Sequence, residues 1–300
     1  MRIYHRVSEL IGNTPIISLE KFGKNIFGKC EFFNPSHSIK DRAAFEMLKT
    51  ALDEGKINKD TLIIEATSGN TGISLAMICA DLGLKLVIAM PESMSLERRR
   101  MMELFGAKLE LTPASLGMKG AVDKANELLK THANSFIPSQ FTNLANKNAH
   151  RRTTAMEILN DLDSQLDIFV AGFGTGGTIS GVGEILKEKL QNIQIIAVEP
   201  LDSPLLSEGK AGPHKIQGIG ANFIPEILNK EVIDEIMVVS NEDAILTARE
   251  LAKSGLMVGI SSGANVYAAK LLAQKFPEKR ILTMLNDTAE RYLSTDLFAF

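Results

Sequence analysis

The strongest constraint on the fold is an alternation that runs through most of the chain. A short aliphatic run gives way to small residues and then to a segment whose apolar positions recur at helical spacing. Strand candidates fall at 62–66, 86–90, 109–111, 168–171, 194–198 and 281–285, after two short runs at 16–19 and 26–31. Strands that alternate with amphipathic helices predict parallel sheets covered by helices, an α/β architecture. At 300 residues and 45% hydrophobic content the chain has material for large cores and about two domains. No repeat or charged linker marks a boundary, so the polar stretch 143–148 is taken as the dividing segment.

Between the second run and the first long helix lies NPSHSIKDR, residues 34–42, which presents Lys40 in the first turn of a predicted helix. Asn34-Pro35 ends the strand and Ser36 or Ser38 is placed to cap. Ala43, Ala44, Met47, Leu48, Ala51 and Leu52 supply the apolar face. Helix N-termini favour anions over ammonium groups by ~0.3–1 kcal/mol, so a lysine there is unusual unless it reacts as a free amine. A solvated surface lysine is the competing reading.

Three segments repeat one layout, strand to small residues to helix, which aims backbone N–H groups at an anion. TSGNTG, residues 67–72, offers amides and the side chains of Thr67, Ser68, Asn70 and Thr71, a set suited to a carboxylate. GFGTGGT, residues 172–178, carries four glycines that let backbone approach a phosphate, with Thr175 and Thr178 as further donors. GISSGAN, residues 259–265, puts Ser261 and Ser262 at a turn, where they also serve as plain helix caps. The second loop satisfies G-x-G-x-x-G through Gly172, Gly174 and Gly177, with Glu199 about twenty residues on, so a nicotinamide-dependent oxidoreductase is a reading of another class. The stretch 210–225, rich in glycine and proline, reads as a loop of the kind that covers active sites.

A net charge of -3 with 33 basic and 36 acidic residues interspersed excludes an electrostatic footprint for nucleic acid or an anionic membrane. Arg98, Arg99 and Arg100 read as a solvated helix face. Cys30 and Cys79 read as buried thiols of a reducing compartment. The five histidines have no partners at ligand spacing, so no metal site is expected. The N-terminal stretch has no apolar signal core, and the apolar run 73–90 is interrupted by Asp81, Gly83 and Lys85. A soluble cytoplasmic protein is expected.

Taken in order, PSHSIKDR, TSGNTG, GTGGT, HKIQGIGANFIP, GISSGAN and ERYLST resemble the cysteine synthase (O-acetylserine sulfhydrylase) family almost from end to end. That family lies within the cysteine synthase and cystathionine β-synthase group of fold-type II enzymes that use pyridoxal 5'-phosphate. The resemblance implies two three-layer αβα domains, residues 35–143 and residues 1–34 with 144–300, and a cofactor in the interdomain cleft. It implies that Lys40 forms the Schiff base with the cofactor aldehyde and that Asn70 bonds the ring hydroxyl. Gly174, Thr175, Gly176, Gly177 and Thr178 would cradle the phosphate, and Ser261, rather than Ser262, would face the pyridine nitrogen. Thr67, Ser68, Asn70, Thr71 and Gln140 would take the substrate carboxylate, with Gly218 and Gly220 at the closing edge. The GMKGA segment, residues 117–121, also matches.

The implied reaction is replacement of the acetoxy group of O-acetyl-L-serine by sulfide, in a homodimer that binds the C-terminal tail of serine acetyltransferase. A neutral serine at the ring nitrogen suits elimination and replacement over transamination. A cystathionine β-synthase-like reaction or a thiosulfate-using one is the near alternative, since pockets that differ by a methylene discriminate by only ~1–3 kcal/mol. Two departures stand out: TTAMEI at 153–158 replaces the usual TTGPEI, and Asn286, Asp287 and Thr288 replace a run more common in the family.

Overall fold

The structure is a computed structural model that describes residues 3–299. Its strands are β1 (Ile16–Ser18), β2 (Ile26–Cys30), β3 (Leu62–Ala66), β4 (Lys85–Pro91), β5 (Lys108–Thr112), β6 (Ser135–Phe136), β7 (Ile168–Gly172), β8 (Gln194–Pro200), β9 (Glu235–Val239) and β10 (Ile281–Leu285). Its helices are α1 (Lys40–Asp53), α2 (Asn70–Leu82), α3 (Leu96–Leu104), α4 (Gly117–Thr131), α5 (Leu144–Ala149), α6 (Ala155–Asp161), α7 (Gly177–Lys189), α8 (Leu205–Glu208), α9 (Asn241–Lys253) and α10 (Ile260–Lys275). Contacts divide the chain into one unit of Met1–Ile11 with Lys40–Asn146 and another of Gly12–Ile39 with Lys147–Phe300, as far as their described residues go. The second cut lies inside the polar stretch 143–148. Residues 3–11 group with the 40–146 unit, whereas the sequence placed all of 1–34 with the other.

In the first unit a parallel sheet has the order β5-β4-β3-β6. Side chains alternate along a strand, so each strand serves two cores. Ile63, Leu86, Ile88 and Met90 join α1, α2 and α3 in one cluster, and Ile64 and Ala89 meet Ala121 and Ala125 of α4 in another. α2 ends on Gly83, whose φ of 71° closes the helix in the left-handed conformation that a side chain would resist.

In the second unit the sheet order is β1-β2-β10-β7-β8-β9, parallel except for the β1–β2 pair. The same alternation splits β7. Ile168 and Val170 pack with α9 and α10, while Phe169 and Ala171 pack with α6 and α7. Both sheets therefore lie between helices, and β7, β8 and β10 read as continuous aliphatic runs because both of their faces are covered. The buried Lys29 of β2 is compensated by Glu157 at 3.0 Å, Asp161 at 3.3 Å and the Thr14 carbonyl at 2.7 Å.

The eight expected strands are present, most with bounds shifted by a residue or two. β6 and β9 are additional. β6 is only two residues long, and β9 is a sheet-edge strand, half exposed, without a clean alternation. Residues 210–225 contain no helix or strand, as expected for a loop.

Candidate active site

In the first unit α1 begins at Lys40, which is partly buried, and the next residue, Asp41, is fully buried. Asp41 accepts a 2.6 Å hydrogen bond from the Ser74 hydroxyl, which fixes the start of α1 against the second turn of α2. The sequence reading passed over Asp41. An acidic residue in the first turn of a helix is its only signal.

β3 ends at Ala66 and α2 opens at Asn70, so Asn70, Thr71 and Gly72 form the first helical turn rather than the loop expected from sequence. Glycine and threonine are weak helix formers, but a first turn aimed at an anion tolerates them. Thr67 and Thr71 are buried. Thr71 Oγ1 donates to Gln140 Oε1 at 2.7 Å, which joins two predicted carboxylate ligands 69 positions apart. With Oε1 occupied, Gln140 Nε2 is the donor left to a ligand. Gly72 packs closely on Met102, since a Cβ there would come within 2.7 Å of the Met102 methyl.

Arg98 corrects the expectation of a solvated basic face. It is buried, and its Nη1 reaches the Ser68 carbonyl at 3.5 Å, so it supports the TSGNTG segment. Burial makes the two cysteines poor nucleophiles by pushing the Cys30 and Cys79 thiols up to about 12, with Glu31 adding to the effect at Cys30.

In the second unit β7 runs into residues 173–176 and α7 opens at Gly177. Gly176 has φ of 83°, and a Cβ on it would strike Leu228. The segment 218–220 lies directly across this loop. A Cβ on Gly174 would sit 2.5 Å from the Gly218 carbonyl oxygen, one on Gly172 would sit 2.8 Å from Ile219, and Gly220 N donates to the Phe173 carbonyl at 2.9 Å. Gly218 and Gly220 thus meet the GFGTGGT loop itself. A bare glycine backbone at the N-terminus of a 13-residue helix, with the hydroxyls of Thr175 and Thr178 beside it, fits a phosphate group.

Two further residues hold this loop. Asn265 of α10 accepts from Gly172 N at 2.8 Å and donates to the Met284 carbonyl at 2.9 Å. His150, read from sequence as an unrelated histidine, is buried in a π-helical turn spanning His150–Thr154, and its Nε2 lies 3.2 Å from Thr178 Oγ1. A π-turn re-aims side chains within a helix and often marks a functional site, but it leaves no mark in residue spacing.

Ser261 and Ser262 stand in the first turn of α10, both buried. Ser262 Oγ accepts from the Asn286 amide at 2.8 Å, and Ser261 Oγ accepts from the Asn286 side chain at 3.1 Å. Ser262 is thereby tied to the backbone after β10. Asp287 is buried, with Oδ2 accepting from the Tyr292 hydroxyl at 2.6 Å.

The dinucleotide reading fails at Glu199. Its carboxylate is fully buried and accepts from Leu206 N at 2.9 Å, from Ser207 N at 3.0 Å and from the Ser207 hydroxyl, so it caps α8 instead of facing a ribose. Among the described residues no cluster of His, Cys, Asp and Glu has the geometry to hold a metal ion, and no helix is long and apolar enough to cross a membrane.

The chain is similar to known proteins along its whole length. The family model for pyridoxal-phosphate dependent enzymes matches residues 7–287. The chain is 79% identical over 299 residues to Cysteine synthase B of Campylobacter jejuni, covering 100% of both chains. It is 47% identical over 301 residues to a Cysteine synthase of Staphylococcus aureus, covering 98% of this chain and 97% of that one. Among solved structures it is similar to cysteine synthase (OASS) of Entamoeba histolytica, with a TM-score of 0.96 and 43% identity over 100% of this chain and 92% of that one.

Proposed function

The chain belongs to the pyridoxal-phosphate dependent enzymes and, among them, to the cysteine synthases, and from that membership we propose the following reaction and division of labour. Sulfide replaces the acetoxy group of O-acetyl-L-serine and gives L-cysteine and acetate. Pyridoxal 5'-phosphate, when bound, supplies the electron sink that makes the substrate α-proton acidic and lets the β-substituent leave.

The protein's own residues bind, orient and move a proton. Lys40 would hold the cofactor and, as a free amine, would take the proton from the substrate α-carbon as acetate departs. Asn70 bonds the ring hydroxyl, and Gly174, Thr175, Gly176, Gly177 and Thr178 take the phosphate. Thr67, Ser68, Asn70, Thr71 and Gln140 receive the substrate carboxylate, and Gly218 and Gly220 form the edge that closes over it.

The observation that most directly supports replacement over transamination is Ser261. Its hydroxyl is a neutral group held by Asn286, and the nearby carboxylate of Asp287 is bonded to Tyr292. A neutral partner at the ring nitrogen leaves the cofactor a weaker electron sink and favours prompt loss of the leaving group.

A homodimer in the cytoplasm, with the C-terminal tail of serine acetyltransferase as partner, completes the reading and rests on family resemblance. Steady-state turnover of O-acetylserine with sulfide, thiosulfate and homocysteine in parallel tests the function. Sulfide is expected to be preferred. A higher kcat/KM with homocysteine or thiosulfate overturns the donor assignment, and purified protein without a cofactor absorption band overturns the whole reading.

A further inference from the structure

Glu65 lies one residue before the end of β3, and its side chain is almost wholly enclosed. Its Oε2 accepts a 3.1 Å hydrogen bond from the Ser139 amide, across 74 positions of sequence. Ser139 has φ of 56°, in the left-handed region that a non-glycine residue occupies only when its surroundings hold it there. The turn is pinned further by Thr142 N and Asn143 N, which both donate to the Ser139 carbonyl at 3.0 Å. The residue that follows this constrained position is Gln140, whose side chain meets Thr71. Its carbonyl accepts from Asn146 Nδ2 at 2.8 Å.

We propose that Glu65 is a positioning residue for the substrate carboxylate: by accepting the Ser139 amide it holds the left-handed turn that aims Gln140 at Thr71. This inference rests on the proposed role of Gln140 and Thr71 in substrate binding, and it adds a residue that no motif contains.

The surroundings give Glu65 a second property. It borders a cavity of about 490 Å3 to which α4 presents Val122, Ala125, Asn126 and Leu129, and residues 135–142 add no ionisable side chain. β4 pairs Ile88 opposite Glu65. Burial pushes the carboxyl up to about 8, the Ser139 and Ala66 amides oppose the rise, and no charged neighbour contributes. Glu65 is therefore a neutral hydrogen-bond acceptor below that pH. Above it, a negative charge stands behind the loop that receives the substrate carboxylate.

The test uses cofactor-loaded wild type, Glu65→Gln and Glu65→Leu, with L-alanine as probe because it has the amino acid head and no leaving group. Dissociation constants are read from the cofactor absorbance between pH 6.5 and 9.5, and hydrogen exchange is followed over residues 138–142. Relative to Glu65→Gln, in which the alanine amine and the cofactor still titrate, wild type is expected to weaken roughly fivefold through pH 8, as the charge develops in a poorly solvated site. Glu65→Gln keeps the acceptor and loses that inflection. Glu65→Leu loses the acceptor, weakens binding roughly tenfold below pH 8, lacks the inflection and speeds exchange at 138–142. In turnover the Leu variant should raise KM more than it lowers kcat.

A pH profile of Glu65→Gln that matches wild type overturns the proposal, as do unchanged binding and exchange in Glu65→Leu. Should Glu65→Leu not fold, the pH profile of Glu65→Gln decides. Wild type that neither binds L-alanine nor turns over O-acetylserine would defeat the proposed function instead, and the exchange comparison would still decide whether Glu65 holds Ser139.

Discussion

Asn286 reaches Ser261 through its side-chain amide at 3.1 Å while its backbone N–H holds the neighbouring Ser262 hydroxyl at 2.8 Å. The end of β10 and the first turn of α10 are thus joined by one residue, and it belongs to the segment that departs from the family's common run. Because Ser261 Oγ already accepts a hydrogen bond from Asn286, its own proton is available to donate elsewhere.

Ser261→Asp is expected to slow acetate release at least roughly tenfold in a single turnover, since a carboxylate would hold the ring nitrogen protonated where a hydroxyl does not. Ser261→Ala should slow it less. Rapid-mixing absorbance on folded, cofactor-loaded variants makes the comparison. Equal rates for wild type and Ser261→Asp would remove Ser261 from this role.

Lys40→Ala is expected to abolish multiple turnover and the visible absorption band of the bound cofactor, because the proposed reading puts the attachment on Lys40. Borohydride reduction of wild type followed by peptide mapping locates the attachment directly. A pyridoxyl group found on Lys119 or another lysine would defeat the mechanism but leave the fold intact.

Much of this architecture is legible in residue order. The limits of β3 and β10 coincide with aliphatic runs, and TSGNTG and GFGTGGT stand at the strand-to-helix turns that place them at helix N-termini. Contacts between residues far apart in sequence are not legible. Gln140 meets Thr71, Glu65 meets Ser139, and Asn265 meets Gly172 only because the sheets bring together segments with no shared spacing. Arg98 was misread for a related reason. A run of three arginines looks solvated, and only the packed helix shows that its first member faces inward. Glu199 illustrates the reverse error, a fingerprint position whose chemistry is consumed by capping the short helix that follows.

Gly174→Ala is expected to loosen the cofactor, because the added Cβ would press on the Gly218 carbonyl oxygen at 2.5 Å and neither partner is a flexible side chain. The shift needed costs on the order of 1–3 kcal/mol, which corresponds to roughly five- to 150-fold in cofactor affinity. Gly69→Ala is the control, since a Cβ there meets nothing within 4 Å. Absorbance after dialysis separates the two. Equal retention would show that the 218–220 segment yields without disturbing the phosphate loop.

The carboxylate loop also predicts how a protein partner would enter. A peptide that ends in a free carboxylate can use the same N-terminus of α2, with the backbone N–H of Thr71, the hydroxyls of Thr67 and Ser68, and the Gln140 amide nitrogen, that the proposed reading assigns to O-acetylserine. A tail of serine acetyltransferase that ends in isoleucine would place its carboxylate there, so peptide and substrate must exclude each other. The expected result is strictly competitive inhibition by an isoleucine-ended decapeptide, with its apparent inhibition constant rising linearly with O-acetylserine. An amidated decapeptide should lose most of the effect, because it removes the charge for which the helix N-terminus is suited. Noncompetitive inhibition, or no binding at millimolar peptide, defeats the assignment of this loop as the tail's docking point.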